Sequence, residues 1–132
     1  MFRLRIITPQ KRVFDGEASF VEFKTVEGSM GTLQNRAPLL GALVISELEI
    51  EKADGKREIF AIHGGIAEFS QNTFTVLSDA AERADEIDVE RAKRALEKAK
   101  MELERIQDEK RKKDLEGKIQ RAMVRLKVAN RK

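Results

Sequence analysis

The sequence predicts an α+β protein in two parts: an antiparallel β-sandwich or barrel, followed by a helical segment. Three observations carry this. Through residue 84, short β-branched and aromatic runs alternate with turn signals every 8–12 residues or so. Past Asp79 the chain has no proline and one glycine, Gly117, and Ala, Glu, Lys, Arg and Leu dominate. There the apolar residues recur at helical rather than alternate spacing.

The strands read off in order. Phe2–Ile7 alternates until Thr8-Pro9 breaks it, and Phe20–Val26 is β-branched and aromatic up to Glu27-Gly28. Leu39–Ile45 is apolar, and Leu48-Glu49-Ile50 alternates. Ala53-Asp54-Gly55-Lys56 is a hairpin turn, because Asp-Gly favours positive φ. Ile59–Ile62 precedes Gly64-Gly65, and Ile66–Phe69 and Thr73–Leu77 flank the turn Ser70-Gln71-Asn72. Glu22, Glu49, Glu51 and Glu68 fall at alternate strand positions, which suits outward faces rather than an acid–base pair.

The second segment carries two apolar stripes. Ala92, Ala95, Leu96, Ala99, Leu103 and Ile106 form one; Leu115, Ile119, Ala122, Leu126 and Ala129 form the other. Between them Gln107–Asp114 holds no aliphatic residue, so the spacing predicts helices over about 88–106 and 111–130 with a charged hinge. Ala-rich stripes permit a close antiparallel hairpin. The hinge lacks Gly and Pro, and its residues tolerate helix, so residues 88–130 are also able to extend into one helix about 64 Å long at ~1.5 Å per residue. Two packings of similar energy make a switch; a plain hairpin with a solvated loop is the other reading.

Composition excludes much. The chain of 132 residues has no Cys, and its one His, His63, has no partner for a zinc site. No apolar run approaches the ~20 residues needed to span a bilayer, and Met1–Ile7 alternates, unlike a signal peptide. A cytoplasmic protein is expected. Charge is uneven: residues 1–84 hold 10 Lys+Arg against 12 Asp+Glu, and residues 85–132 hold 16 against 11. The basic excess lies in the tail, so an acidic surface, phosphates or nucleic acid are candidate partners. A nucleic-acid-binding protein with a basic helical tail is the alternative reading. It calls for stacking aromatics, and all seven Phe fall in the first 74 residues of a chain without Trp or Tyr. No nucleophile–base pair or G-x-x-x-x-G-K-[ST] loop appears, so an enzyme is not expected.

An ordered set of segments identifies a family. Thr8-Pro9 and Val13-Phe14-Asp15-Gly16 come first, then Glu27-Gly28-Ser29-Met30-Gly31-Thr32-Leu33 and Ala37-Pro38-Leu39-Leu40. Gly64-Gly65, Val76-Leu77 and Ala80-Ala81-Glu82-Arg83-Ala84 follow. Ile87-Asp88-Val89-Glu90-Arg91-Ala92 and Arg121-Ala122-Met123-Val124-Arg125-Leu126 complete the set. The chain resembles, over nearly its whole length, the bacterial epsilon subunits of F-type ATP synthases. It departs from them at Gln34 and Arg36, where Pro and His are usual, and at His63, where Ser is usual.

The resemblance implies a β-sandwich of about ten strands over residues 1–84 and a two-helix regulatory domain over residues 85–132. It implies a non-catalytic central-stalk subunit that binds the gamma subunit and contacts the c-ring through the sandwich. Its helices would inhibit ATP hydrolysis by rising along gamma toward acidic segments of the beta subunits. Such a subunit sits at the cytoplasmic face of the membrane, peripherally, with no insertion into the bilayer and no nucleic acid.

Two groups of residues are candidates for chemistry. In some members an I/L-D-x-x-R-A motif, with arginines of the second helix, binds ATP as a regulatory ligand. Here it maps to Ile87, Asp88, Arg91 and Ala92, with Arg121 and Arg125 as the distal pair. Arg121 and Arg125 are four apart and share a helix face, and guanidinium forks suit phosphate. Asp88 also suits a helix N-cap, and the arginines suit ordinary solvated positions. The second group is Lys110, Arg111, Lys112 and Lys113, which the resemblance assigns to an acidic beta-subunit segment. A solvated charge run is the simpler reading. His63 is expected to be a partly buried turn residue at a strand end. Gly64-Gly65 is expected to mark strain or close strand approach rather than a phosphate loop.

Overall fold

A computed structural model describes residues 1–31 and 38–131. Thr32, Leu33, Gln34, Arg36 and Ala37, which the resemblance singled out, lie outside the described residues. The strands are β1 (Phe2–Ile7), β2 (Arg12–Thr25), β3 (Gly28–Gly31), β4 (Leu39–Lys52), β5 (Arg57–Ser70), β6 (Thr73–Leu77) and β7 (Ala81–Arg83). A 3-10 turn, Ala84–Glu86, leads to helices α1 (Val89–Arg105) and α2 (Glu109–Asn130).

The strands run in the order β1-β6-β5-β4-β2-β3, and β1 also pairs with β2. That last pairing closes a ring of five strands around one core. All pairings are antiparallel except β1 with β6, which run parallel. The sandwich is therefore not wholly antiparallel as expected. The count also differs, with seven strands described in place of about ten, because three strands run 14 residues each.

The long strands explain the count. In β4 the buried residues change parity, from Leu43 to Ser46, Leu48 and Ile50; in β5 they change from Phe60 and Ile62 to Ala67 and Phe69. Successive strand side chains point to opposite faces, so a parity change means the strand turns its other face to the core. Yet the ladder keeps one register across the change, with Leu43 opposite Gly65 and Ile45 opposite His63. β4 and β5 thus each line both layers, where the apolar pattern read as two strands. Gly64 and Gly65 make the bend, with φ of +78° and +114°. At Gly65 a Cβ would collide with the Leu77 carbonyl oxygen and sit 2.8 Å from Ser78 Cα, so only glycine fits.

The core is apolar and aromatic. Phe2, Leu4 and Ile6 point inward from β1 while Arg3 and Arg5 face out. Phe23 packs on Phe74 with ring centroids 4.9 Å apart, and Phe2 meets the edge of Phe69 at 6.2 Å. The expected hairpin turns are present: Asp54 Oδ1 accepts from the Lys56 amide at 2.9 Å, and Gln71 and Asn72 adopt positive φ between Ser70 and Thr73.

α1 and α2 form an antiparallel pair joined by only three residues, Ile106–Asp108. The expected hinge, Gln107–Asp114, is corrected here. Ile106 leaves the helix in extended conformation, and Asp108 caps α2 by accepting from the Lys110 amide. Lys110, Arg111, Lys112 and Lys113 therefore lie inside the first turns of α2. The seam is Ala92 and Ala99 against Leu115 and Ala122, all buried and seven apart on each helix, the spacing of a coiled-coil seam, and Ala129, seven further on, is buried in the cluster with Ala61 and Ile87. Ala95, expected in the stripe, is exposed.

Candidate functional site

Two features stand out around α2: a cationic groove between the helices, and the surface on which α2 rests against the sandwich. The groove, about 400 Å³, is lined by Ala95, Lys98, Ala99 and Glu102 of α1 and by Arg111, Leu115, Lys118, Arg121 and Arg125 of α2. The alanines of α1 leave the space, and the basic residues line it. Arg111 reaches across to Glu102 at 2.6 Å and holds that carboxyl below the usual range. Among the described residues, Lys98, Lys118 and Arg121 have no carboxylate within 4 Å. The groove thus carries one acidic side chain against five basic ones, a setting for an anion with several oxygens.

The structure brings together only part of the predicted ATP site. Arg121 and Arg125 line the groove. Ile87 is instead buried in a small cluster with Ala61, Ala84, Val128 and Ala129. Asp88 is the α1 N-cap and accepts from the Arg91 amide at 3.0 Å. Ala92 is in the helix seam, and Arg91 is exposed and does not line the groove. In the basic run, Arg111 turns into the groove, Lys112 lies 3.6 Å from Glu109, and Lys110 and Lys113 are exposed.

The resting surface was not legible in the sequence. Glu47 of β4, Ala61 of β5 and Glu82 of β7 lie directly opposite one another in a row. α2 lies on this row. Val128 and Ala129 pack with Ala61, flanked by the half-buried Ile59 and Val124. Arg125 Nε donates to Glu82 Oε1 at 2.6 Å, and His63 Nε2 lies 2.8 Å from the same oxygen. His63 is buried within β5, not at a strand end as expected, and its Nδ1 has no hydrogen-bond partner among the described residues. The His63 hydrogen bond, with the Arg125 guanidinium, outweighs partial burial and brings Glu82 down to about 2. Ionised, Glu82 can only accept, so His63 Nε2–H is the donor. Farther along, Lys127 lies 3.5 Å and Arg131 2.8 Å from Glu47, and Arg131 also bonds Glu49.

The described residues hold no cluster of three or more His, Cys, Asp or Glu side chains suited to a metal ion. No described helix is long and apolar enough to cross a membrane.

Comparison with known proteins places this architecture. Residues 1–84 match the family described as ATP synthase, Delta/Epsilon chain, beta-sandwich domain, and residues 85–130 match its long alpha-helix domain. The sodium ion specific ATP synthase epsilon chain of Propionigenium modestum is 36% identical over 97% of this chain and 93% of its own. The ATP synthase epsilon chain of Lactobacillus helveticus (strain DPC 4571) is also 36% identical, over 100% and 94%. In fold the chain is similar to one in the cryo-EM structure of the Euglena gracilis mitochondrial ATP synthase OSCP/F1/c-ring assembly. The TM-score is 0.79 at 24% identity, covering 96% of this chain and 79% of that one. A chain of the Tetrahymena thermophila mitochondrial ATP synthase central stalk and c-ring gives 0.67 at 19%, covering 96% and 95%. From its sandwich to its paired helices, the chain belongs to the ATP synthase delta/epsilon family.

Proposed function

We propose that this chain is a non-catalytic central-stalk subunit of an ion-translocating ATP synthase, coupling rotation through its sandwich and restraining ATP hydrolysis through its helices. The match to epsilon chains over both parts of the molecule is the observation that carries this reading. The sandwich would grip the gamma subunit and touch the c-ring. Its exposed Leu40, Ile66 and Leu77 support such a grip, since Ile66 and Leu77 are cross-strand partners and Leu40 lies on the adjoining strand. The tail would act on the beta subunits when released, and the complex would stand at the cytoplasmic face of the membrane.

The groove supports ATP as a regulatory ligand, bound by its phosphates and not hydrolysed. Its unpaired Lys98, Lys118 and Arg121 would take the phosphates, and ATP would favour the hairpin because the released tail has no groove. Arg91 and Asp88 would then contribute mainly to the shape of the α1 start.

Two measurements test this. ATP hydrolysis by the catalytic head assembled with gamma should be slower with the full chain than with residues 1–84; equal rates would remove the restraining role. Calorimetry on the isolated chain should give ATP binding that weakens at least about tenfold in Arg121→Ala, the scale of one charge-assisted phosphate contact. Unchanged affinity would take Arg121 out of the site.

A further inference from the structure

We infer that the last two turns of α2 form an ionic catch whose engagement with the acidic row of β4 and β7 decides whether the hairpin lies on the sandwich or is released. The packing of the hairpin on β4 and β5 is made mainly by the far end of α2, with Val89 at the start of α1 beside it. The apolar part of that contact is small. It rests on Val128, Ala129 and half-buried Val124, over Ala61, Ile59, Ala84 and Ile87.

Charge does the rest. Lys127 and Arg131 converge on Glu47, Arg131 also holds Glu49, and Arg125 holds Glu82. The side chains of Glu47 and Glu49 are only 15% and 13% exposed, but Lys127 and Arg131 keep 60% and 40%, so each pair alone is worth little and the catch rests on several pairs acting together. Glu47 has no other cation within 4 Å among the described residues, whereas Glu49 also holds Arg57 and Glu82 also holds His63, so release of α2 leaves Glu47 the unpaired carboxylate.

These contacts belong to one state. Arg131 lies about 33 Å from the start of α2 at ~1.5 Å per residue, so swinging the helix away from the turn breaks all of them together. The catch is therefore cooperative, and it sits at the end of the lever, where a given holding force exerts the largest torque about the turn. Arg125 belongs to both the catch and the groove, so the catch and an anion in the groove act on the same helix position.

The inference depends on the tail being movable, as proposed above, but its test reads position rather than hydrolysis. The chain has no cysteine, so Lys56→Cys and Met123→Cys, both exposed sites, take spin labels uniquely. Pulsed electron paramagnetic resonance on the full chain should show mainly the short, docked distance. Lys127→Glu/Arg131→Glu should raise the released-to-docked ratio about tenfold, and the milder Glu47→Gln about threefold, the scale of two or three partly exposed pairs lost together. Arg94→Glu, on the outer face of α1, should leave the ratio unchanged. A reference distribution in Glu47→Gln, with the sandwich folded by circular dichroism, overturns the catch. An opened tail with unaltered hydrolysis would instead overturn the restraining role and leave the catch standing.

Discussion

Gly65 shows how one residue fixes the course of a 14-residue strand. Its φ of +114° and its closeness to Leu77 and Ser78 leave no room for a Cβ. Gly65→Ala should cost on the order of 2–4 kcal/mol in urea unfolding, the sum of backbone strain and a forced shift of β6. A change under about 0.5 kcal/mol would mean the bend relaxes freely. Glu82 is the second such residue. Its carboxyl drops from an ordinary 4.5 to about 2 on folding, so the unfolded chain binds the proton more tightly. The resulting stability is in full force above about pH 5 and is lost as pH falls toward 2. Discounted for partial exposure, it is on the order of 1–3 kcal/mol. Glu82→Gln should therefore be less stable than the parent at pH 7 and close to it near pH 2; an equal deficit at both would point to packing rather than charge. The glycine pair was legible as a site of strain or close approach. Glu82 was not, because its partners His63 and Arg125 lie 19 and 43 residues away.

Asp108 governs the helical element. It caps α2 in the hairpin, whereas a continuous helix through residues 88–130 has no use for a cap at that position. Asp108→Ala should cost the hairpin about 1 kcal/mol and speed amide exchange in residues 109–112 roughly fivefold. Unchanged exchange there would show that the turn is held by the Glu102–Arg111 pair instead. Helix existence, the seam residues Ala92, Ala99, Leu115 and Ala122, and the burial of Ala129 could be read directly from spacing. The hinge could not, because Lys110–Lys113 tolerate helix and only the capping geometry shows where α2 begins. Strand number failed for a related reason. Ser46-Glu47 and His63-Gly64-Gly65 interrupt the apolar pattern, yet the ladder passes through them in register.

At the scale of the molecule, the main core among the described residues draws on residues of the sandwich alone, from Phe2 to Ala81. Residues 1–84 should therefore fold alone with one cooperative transition, a few degrees below the full chain because Ile59 and Ala61 lose their cover. A broad, non-cooperative melt would make the tail part of the folding unit. The sequence by itself determined the two-part plan, the apolar faces of strands and helices, the turns, and the basic excess of the tail. These follow from backbone sterics and side-chain periodicity, which act over a few residues. Tertiary structure alone decided that β4 and β5 serve two layers, and that Ala95 opens a groove instead of closing a seam. It also decided that Arg125, Lys127 and Arg131 meet Glu82, Glu47 and Glu49. Those partners are up to 84 residues apart, and each depends on strand register and on the angle at which α2 comes down on β4, β5 and β7. A charge carries no periodic mark of its partner, so such pairs exist only once the chain has brought them together.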